Sequence, residues 1–112
     1  MSKQTETDRE LLELAAKAAG YKFDEWHIKF TDGNNLFEWN PITEDGDALR
    51  LAVKLNIEIS QGFDDAPTAY AGYFKKCNSP MHYACEQHAG DPLKATRRAI
   101  VRAAAEIGRN IN

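Results

Sequence analysis

The last third of the chain contains the segment that most limits what this sequence can fold into. Residues 91–109 read DPLKATRRAIVRAAAEIGR, a basic and strongly helical segment. Asp91 is a good N-cap and Pro92 a good first helical residue. We predict a helix from residue 92 to about residue 107. Its expected apolar stripe consists of Leu93, Thr96, Ile100, Ala103, Ala104 and Ile107.

A first helix is predicted at residues 8–19. Thr7 and Glu10 have the spacing of a capping box, in which each side chain accepts a hydrogen bond from the other residue's backbone N–H. Apolar residues then recur at helical spacing, and Gly20 supplies the left-handed residue that ends many helices. We expect residues 1–7 to be frayed.

A second helix follows the sequence WNPITEDGD. Thr43 is the expected cap, and Glu44, Asp45 and Asp47 would lie in a first turn where the helix dipole favours acids. Asn56 is the expected end of the helix. The predicted buried stripe is Leu49, Ala52 and Val53, supported by Leu55.

Period-two alternation predicts the strands. Trp26, Ile28 and Phe30 indicate a strand before the turn at residues 32–35, with a return strand at 36–39 that ends before Pro41. Further strands are predicted at 57–60, 69–77 and 81–88, with a loop at 61–68. The order α-β-β-α-β-β-(β)-α predicts an α+β fold. We expect an antiparallel or mixed sheet of four to five strands layered with three helices, similar to an αβα sandwich.

Length and charge limit the class of protein. A chain of 112 residues fits one domain, spanning 1–112. Its uncharged runs reach nine residues at most, far fewer than the roughly 20 apolar residues of a membrane span. The polar N-terminus has no secretory signal pattern, so we expect a cytoplasmic protein with reduced thiols and no membrane partner. Residues 92–112 carry a charge of +4 and residues 1–91 carry −7, which disfavours a general nucleic-acid binder.

Three segments resemble a known family. They are LLELAAKAAGY (11–21), WNPITEDGDALRLAVKL (39–55) and DPLKATRRAIVRAAAEIGR (91–109). Together they are similar to the phage αβα-sandwich domain family, a group of small proteins of tailed phages and prophages. The resemblance implies a layered α/β domain of phage origin, and it supplies no catalytic residues. Many small phage proteins are accessory factors that bind host machinery, including defence systems. Residues 57–90 match no pattern of the family.

Four possible zinc ligands lie within twelve residues and would make a complete set: Cys77, His82, Cys85 and His88. Their spacing differs from the usual zinc fingers. If the segment is extended, the two cysteines lie on one face and the two histidines on the other, and a four-ligand site fails. If residues 82–88 are helical or looped, three of the ligands can converge. The alternative is free thiols and surface imidazoles.

Two interpretations fit the segment that contains Trp39, Asn40, Pro41, Asp45 and Asp47. A ligand pocket at a helix N-terminus is one, although the carboxylates would repel a phosphate. The interpretation we favour is structural: a strand end, a turn and a capped helix.

Two groups of residues are candidate binding surfaces. Lys94, Arg98 and Arg102 repeat at every fourth position, with Arg97 nearby, and this basic face would suit phosphates, an acidic partner or solvent. The second group is aromatic and lies in the unmatched region. Aromatic residues are common in interface hot spots and equally in strands. This group consists of Tyr70, Tyr73, Phe74 and Tyr83.

The sequence favours a non-enzymatic phage or prophage accessory protein that acts by binding. Inhibition of a host or bacterial-defence component, either a protein or a nucleotide signal, is the expected form. We expect no cofactor and no catalytic residue, because hydrolytic and phosphate-binding motifs are missing. A homodimer is compatible with an exposed strand edge. The alternative from another class is a small zinc-containing nucleic-acid-binding module built on the Cys/His cluster.

Overall fold

The computed structural model describes residues 7–63, 66–75 and 79–111, and in these it has three helices and six strands. The helices are α1 (Asp8–Ala19), α2 (Asp45–Leu55) and α3 (Pro92–Arg109). The strands are β1 (Lys22–Asp24), β2 (Lys29–Thr31), β3 (Leu36–Phe37), β4 (Glu58–Phe63), β5 (Pro67–Phe74) and β6 (Met81–Gln87). Their order along the chain is α-β-β-β-α-β-β-β-α. The predicted α+β class is confirmed.

The prediction of one sheet with four to five strands is wrong. The strands form two antiparallel sheets, β1-β2-β3 and β4-β5-β6. The first sheet has strands of two or three residues and packs beside α1, whereas the second has strands of six to eight residues and packs against α3. The helices α1 and α2 pack on α3, so the helical layer lies on one side of the second sheet.

The strand predicted across residues 26–30 is confirmed only at its end, because β2 is Lys29–Thr31. The chain instead pairs β1 with β2 through a tight loop at residues 25–28. The Asp24 carboxylate accepts hydrogen bonds from the backbone N–H groups of Trp26 at 3.0 Å and His27 at 3.2 Å. Ile28 then takes a positive φ of 56°. A side chain that bonds the backbone two residues ahead stabilises a turn, and it overrides the alternating pattern.

The turn predicted at residues 32–35 is confirmed. The Asp32 carboxylate accepts hydrogen bonds at 2.9 Å from the backbone N–H groups of both Asn34 and Asn35. The return strand is shorter than predicted, because β3 is Leu36–Phe37.

The predicted ends of α1 are confirmed. Thr7 and Glu10 form both hydrogen bonds of the capping box, and Gly20 closes the helix with a φ of 84°. The prediction of a frayed N-terminus falls largely on residues 1–6, which lie outside the described residues. Asp91 caps α3 by accepting from the Lys94 N–H at 3.0 Å, as predicted, and α3 extends two residues beyond residue 107 to Arg109.

The predicted cap and buried stripe of α2 are partly wrong. The N-cap is Glu44 rather than Thr43, and within the described residues its side chain makes no capping hydrogen bond. The buried residues are Ala48, Leu51 and Ala52, whereas Leu49 and Val53 are 58% and 70% exposed. α2 thus packs through Leu51 and two alanines, and Leu49 and Val53 are turned outward. Asn56 ends the helix in the left-handed conformation, as predicted.

The second sheet is longer at one end than predicted. β4 continues to Phe63 and β5 begins at Pro67, so most of the loop predicted at 61–68 is strand. Of the strand predicted at 69–77, residues 69–74 are in β5, and residues 76–78 lie outside the described residues. β6 confirms the strand predicted at 81–88 to within one residue.

The core is centred on α3, which lies between the second sheet and α1. Its buried residues are mostly small and extend around most of the helix: Ala95, Ala99, Ile100, Val101, Ala103, Ala104, Ala105 and Gly108. The predicted stripe was too narrow, because it assumed a helix with one buried side. Leu93, which was assigned to that stripe, is 62% exposed. Gly108 marks a close crossing of α3 and α1, because a Cβ there would collide with the carbonyl oxygen of Leu14.

Candidate functional site

The second sheet has one face covered by α3 and one face on which none of the described helices packs. Alternation along β5 and β6 places Tyr70, Phe74, Met81 and Tyr83 on this second face, which we call the open face. Phe74 is 51% exposed and Tyr83 is 55% exposed. The structure thus brings together three of the four predicted aromatic residues.

Two glycines shape the open face. A Cβ on Gly62 would lie 2.6 Å from Cε2 of Tyr70, so the tyrosine ring lies across the neighbouring strand. A Cβ on Gly72 would lie 2.7 Å from Sδ of Met81 and 3.0 Å from Cε1 of Tyr83. The rings of Tyr70 and Tyr83 meet edge to face at 6.5 Å, an arrangement that aromatic pairs prefer. The result is a flat layer of aromatic and sulfur-containing side chains.

Sequence reasoning missed Met81 and both glycines. The sequence did contain a signal for this contact, because a Gly inside a strand often marks the close approach of another group. Only the register shows which group this is: Gly72 pairs with Tyr83, and Gly62 belongs to the strand beside Tyr70.

Tyr73 belongs to the opposite face. The register between β5 and β6 is continuous, without a bulge at Gly72, so alternation separates Tyr73 from Tyr70 and Phe74. Tyr73 is 6% exposed and its ring centroid lies 5.8 Å from that of His82. Burial raises the pKa of the Tyr73 phenol above its usual value, and the charge of Glu106 raises it further. Tyr73 is therefore a core residue rather than part of the open face.

The open face carries little charge. Of the residues that β4, β5 and β6 direct to it, Glu58 is the one with a formal charge within the described strands. Polyphosphate chains are held mainly by Lys and Arg. The composition of the open face therefore suits an apolar or aromatic contact surface better than a phosphate-binding one.

The basic face of α3 is turned largely toward the protein's own acids. Arg98 lies 2.9 Å from Asp8, and Arg102 lies 2.6 Å from Glu86 and donates to the carbonyl oxygen of Cys85 at 2.9 Å. Arg97 lies 2.7 Å from Asp45 of α2. Lys94, at the start of the helix, is exposed. The predicted contact of this face with a macromolecule stays a prediction, and three of its four side chains have partners inside the chain.

The predicted zinc ligands do not converge in the part of the chain that the structure describes. Cys77 lies outside it. Because β6 is extended, His82 points to the side of α3 and Cys85 is exposed on the other side of the sheet. Nε2 of His88 lies 2.6 Å from Oε1 of Gln61. Among the described residues, no group of three or more His, Cys, Asp or Glu side chains is placed to hold a metal ion.

The segment around Trp39, Asn40, Pro41, Asp45 and Asp47 has the geometry of a structural unit. The Asn40 side chain accepts from the Ile42 N–H at 3.1 Å, and Asp47 accepts from the Asn40 N–H at 2.9 Å. Pro41 is fully buried, and Trp39 meets the ring of Phe30 at 5.0 Å. The polar groups that could bind a ligand are thus used to fix the turn before α2.

A concavity of about 340 Å³ lies between α1 and the first sheet. Its lining includes Glu13, Tyr21, Phe23, Glu25 and Phe30. The guanidinium of Arg9 lies 5.1 Å from the centre of the Phe23 ring and pairs with Glu13 at 3.1 Å. The Arg9 side chain therefore already covers the Phe23 part of the lining of this concavity.

Comparison with known proteins gives no family or function. No family model, no curated protein and no solved structure matches the chain. The resemblance to the phage αβα-sandwich domain family therefore stays a prediction from the three segments that carry it. Within the described residues, no helix combines the length and the apolar character needed to cross a bilayer.

Proposed function

We propose that this protein is a non-enzymatic accessory protein of a phage or prophage, which acts in the host cytoplasm by binding a protein through the open face. The preferred target is a host component, in particular one of the bacterial defence systems. The phage origin rests on the three segments that resemble the αβα-sandwich family. The observation that carries the proposal is the layer formed by Tyr70, Phe74, Met81 and Tyr83 on the uncovered side of the second sheet.

The chemistry of this layer favours a protein partner. Tyr and Met are enriched at the centres of protein interfaces, where large side chains lose contact with water. The partner's apolar side chains could rest on the rings, while the hydroxyl group of the exposed Tyr83 provides a polar contact at the same surface. A nucleotide signal is the competing ligand, since bases also stack on aromatic rings, but Lys and Arg for its phosphates are missing from the described open face.

The test is affinity capture from a host lysate, with the wild-type protein and a Tyr70→Ala/Phe74→Ala/Tyr83→Ala variant. Tyr73 is left intact because it is a core residue, and its truncation would destabilise the fold. The matched control is Trp26→Ala, which removes an aromatic side chain that is 89% exposed on the β1–β2 loop. All three proteins must first give the same far-UV circular dichroism and the same thermal midpoint.

We expect the wild-type protein and Trp26→Ala to retain the same specific partner, and the triple variant to lose it. Identical partners for the triple variant and the wild type would contradict the open face as the contact surface. A nucleotide recovered from the wild-type protein after denaturation, and missing from the triple variant, would replace the protein target by a nucleotide signal.

A further inference from the structure

β4 is an edge strand with a free side. Its neighbour in the sheet is β5, through six residue pairs from Glu58↔Gly72 to Phe63↔Pro67, and on the other side no described strand pairs with it. Proteins usually protect such an edge with charged residues, Pro or a bulge. Residues 59–63 read ISQGF and contain neither a charge nor Pro, and the register with β5 is continuous. The backbone of β4 is therefore available for pairing with another strand.

The strand at the opposite edge of the same sheet, β6, is partly covered by a charged side chain. Arg102 donates from Nη1 to the carbonyl oxygen of Cys85 at 2.9 Å and lies 2.6 Å from the carboxylate of Glu86. A charged side chain thus occupies a backbone acceptor of β6. This contrast selects β4 as the edge suited to a partner.

The side of β4 that faces the helices is also incompletely covered. α3 packs on β5 and β6, and it leaves Ile59 40% exposed and Phe63 74% exposed. Both side chains point to the same side of the strand, because two or four positions separate residues of one face. The free edge therefore has an apolar margin.

We infer that β4 pairs antiparallel with β4 of a second copy of this chain, which joins two three-stranded sheets into one of six strands. An edge that meets its own copy across a two-fold axis presents the same surface from both sides. The ISQGF segment can do this because it is uncharged, and the one charge of β4, Glu58, lies at the start of the strand. The pairing goes beyond the proposed function and does not depend on it.

Side-chain contacts select the register of the pairing. Residues that oppose each other across an antiparallel pair lie on the same face. In a symmetric pair of β4 strands, one residue must therefore lie opposite its own copy at the two-fold axis. An axis at Gln61 would oppose two Gln61 side chains, each of which is already bound within its own chain to Thr96 at 2.9 Å and to His88 at 2.6 Å. An axis at Ser60 places Glu58 opposite Gly62, and we assign this register.

The Ser60 register also buries the apolar margin. It sets Phe63 of one copy diagonal to Ile59 of the other, and aromatic and β-branched side chains form favourable cross-strand pairs. The two Ser60 hydroxyl groups meet at the axis, where they can hydrogen-bond to each other. The open faces of the two copies become continuous across the junction.

Disulfide cross-linking tests the register. In a background with Cys77→Ser and Cys85→Ser, Ser60→Cys places two thiols across the axis, where opposed Cα atoms are about 4.5–5.5 Å apart and a disulfide can form. Glu58→Cys is the control, because its thiol would oppose Gly62 rather than itself. We expect mild oxidation to convert Ser60→Cys to a covalent dimer at least about tenfold faster than Glu58→Cys. Equal rates would overturn the pairing, and a faster reaction of Gln61→Cys would overturn the Ser60 register.

Sedimentation equilibrium tests the dimer itself. The wild-type protein should show a concentration-dependent mass that approaches twice the 12.6 kDa of one chain. Phe63→Glu should halve the mass at the same concentration, whereas Phe74→Glu, an equally drastic change on the open face, should leave it dimeric. A monomeric wild-type protein at all concentrations, or a dimeric Phe63→Glu variant, would overturn the inference. Partner capture by a monomeric Phe63→Glu variant would separate this result from the proposed function.

Discussion

Nε of Arg97 donates a hydrogen bond at 2.7 Å to the carbonyl oxygen of Ile42, a residue 55 positions earlier in the sequence. Nη1 of the same guanidinium lies 2.7 Å from Asp45, and the Arg97 side chain is 18% exposed. One side chain thus connects α3 to the turn that precedes α2. The carbonyl oxygen of Ile42 thus accepts a hydrogen bond from Arg97, a residue that the sequence alone assigned to a basic binding surface.

Arg97→Ala should therefore destabilise the protein. We expect a loss of about 2 kcal/mol in the free energy of unfolding, because a charge-assisted hydrogen bond to a partly buried carbonyl is removed. Arg97→Lys should recover only part of it, since an ammonium lacks the planar fork. Arg50→Ala is the matched control: its side chain is 75% exposed beside Asp47, and its loss should stay within about 0.5 kcal/mol. Urea unfolding measures all three, and equal effects at Arg97 and Arg50 would contradict the assigned role.

Gly108→Ala should disturb the crossing of α1 and α3. The added Cβ would collide with the carbonyl oxygen of Leu14, which belongs to the backbone and cannot rotate away. We expect a loss of about 1–3 kcal/mol on urea unfolding. Gly46→Ala in α2 is the control, because its Cβ would meet only the mobile guanidinium of Arg50 at 3.3 Å. A neutral Gly108→Ala variant would show that the helices can separate without cost.

Tyr73 should make stability sensitive to alkaline pH. Burial and the charge of Glu106 raise the pKa of its phenol above the usual 10.0, against a smaller opposite effect of Arg102. The unfolded chain therefore loses this proton first, so the stabilisation is complete below about pH 10 and declines as pH rises through the folded-state pKa. Urea midpoints of wild type and Tyr73→Phe should differ by a constant amount up to about pH 9 and diverge above it, with the wild type falling faster. Parallel curves to pH 11 would rule this out.

Substitutions at the glycines of the second sheet should separate stability from binding. Gly62→Ala would push the Tyr70 ring off β4, and that ring is a flexible end that can shift. The free energy of unfolding should change by less than about 1 kcal/mol, since Ala also suits a strand better than Gly. Affinity for a partner bound at the open face should fall by about tenfold, because a displaced ring no longer fits. Unchanged affinity would place the partner elsewhere.

Zinc content tests the alternative function. His82 and Cys85 project from opposite sides of β6, so we expect protein purified without added metal to contain far less than one equivalent of zinc. Elemental analysis measures this directly, and a Cys85→Ala/His88→Ala variant serves as the control. One equivalent in the wild type, lost in the variant, would restore the zinc-containing nucleic-acid-binding module.

Interactions between residues close in sequence were predictable. The capping box of Thr7 and Glu10, the Asp91–Pro92 start of α3 and the turn around Asp32 depend on hydrogen bonds that span two to four positions. The same kind of bond also produced an error. Asp24 holds a turn where the alternation of Trp26, Ile28 and Phe30 indicated a strand, because the pattern contains no sign of which backbone groups a carboxylate will bind.

The sequence by itself thus determined the three helices, the caps of α1 and α3 and most of the strands, since local hydrogen bonding and side-chain spacing decide these. Only the tertiary structure decided which face of each element is buried. Leu49 and Val53 fit a core stripe, yet α2 packs through Ala48, Leu51 and Ala52. Tyr73 is buried, whereas Tyr70 and Phe74 are not. Arg97, Arg98 and Arg102 meet acids from distant segments. Burial and pairing of this kind depend on contacts between residues far apart in the chain, which periodicity does not encode.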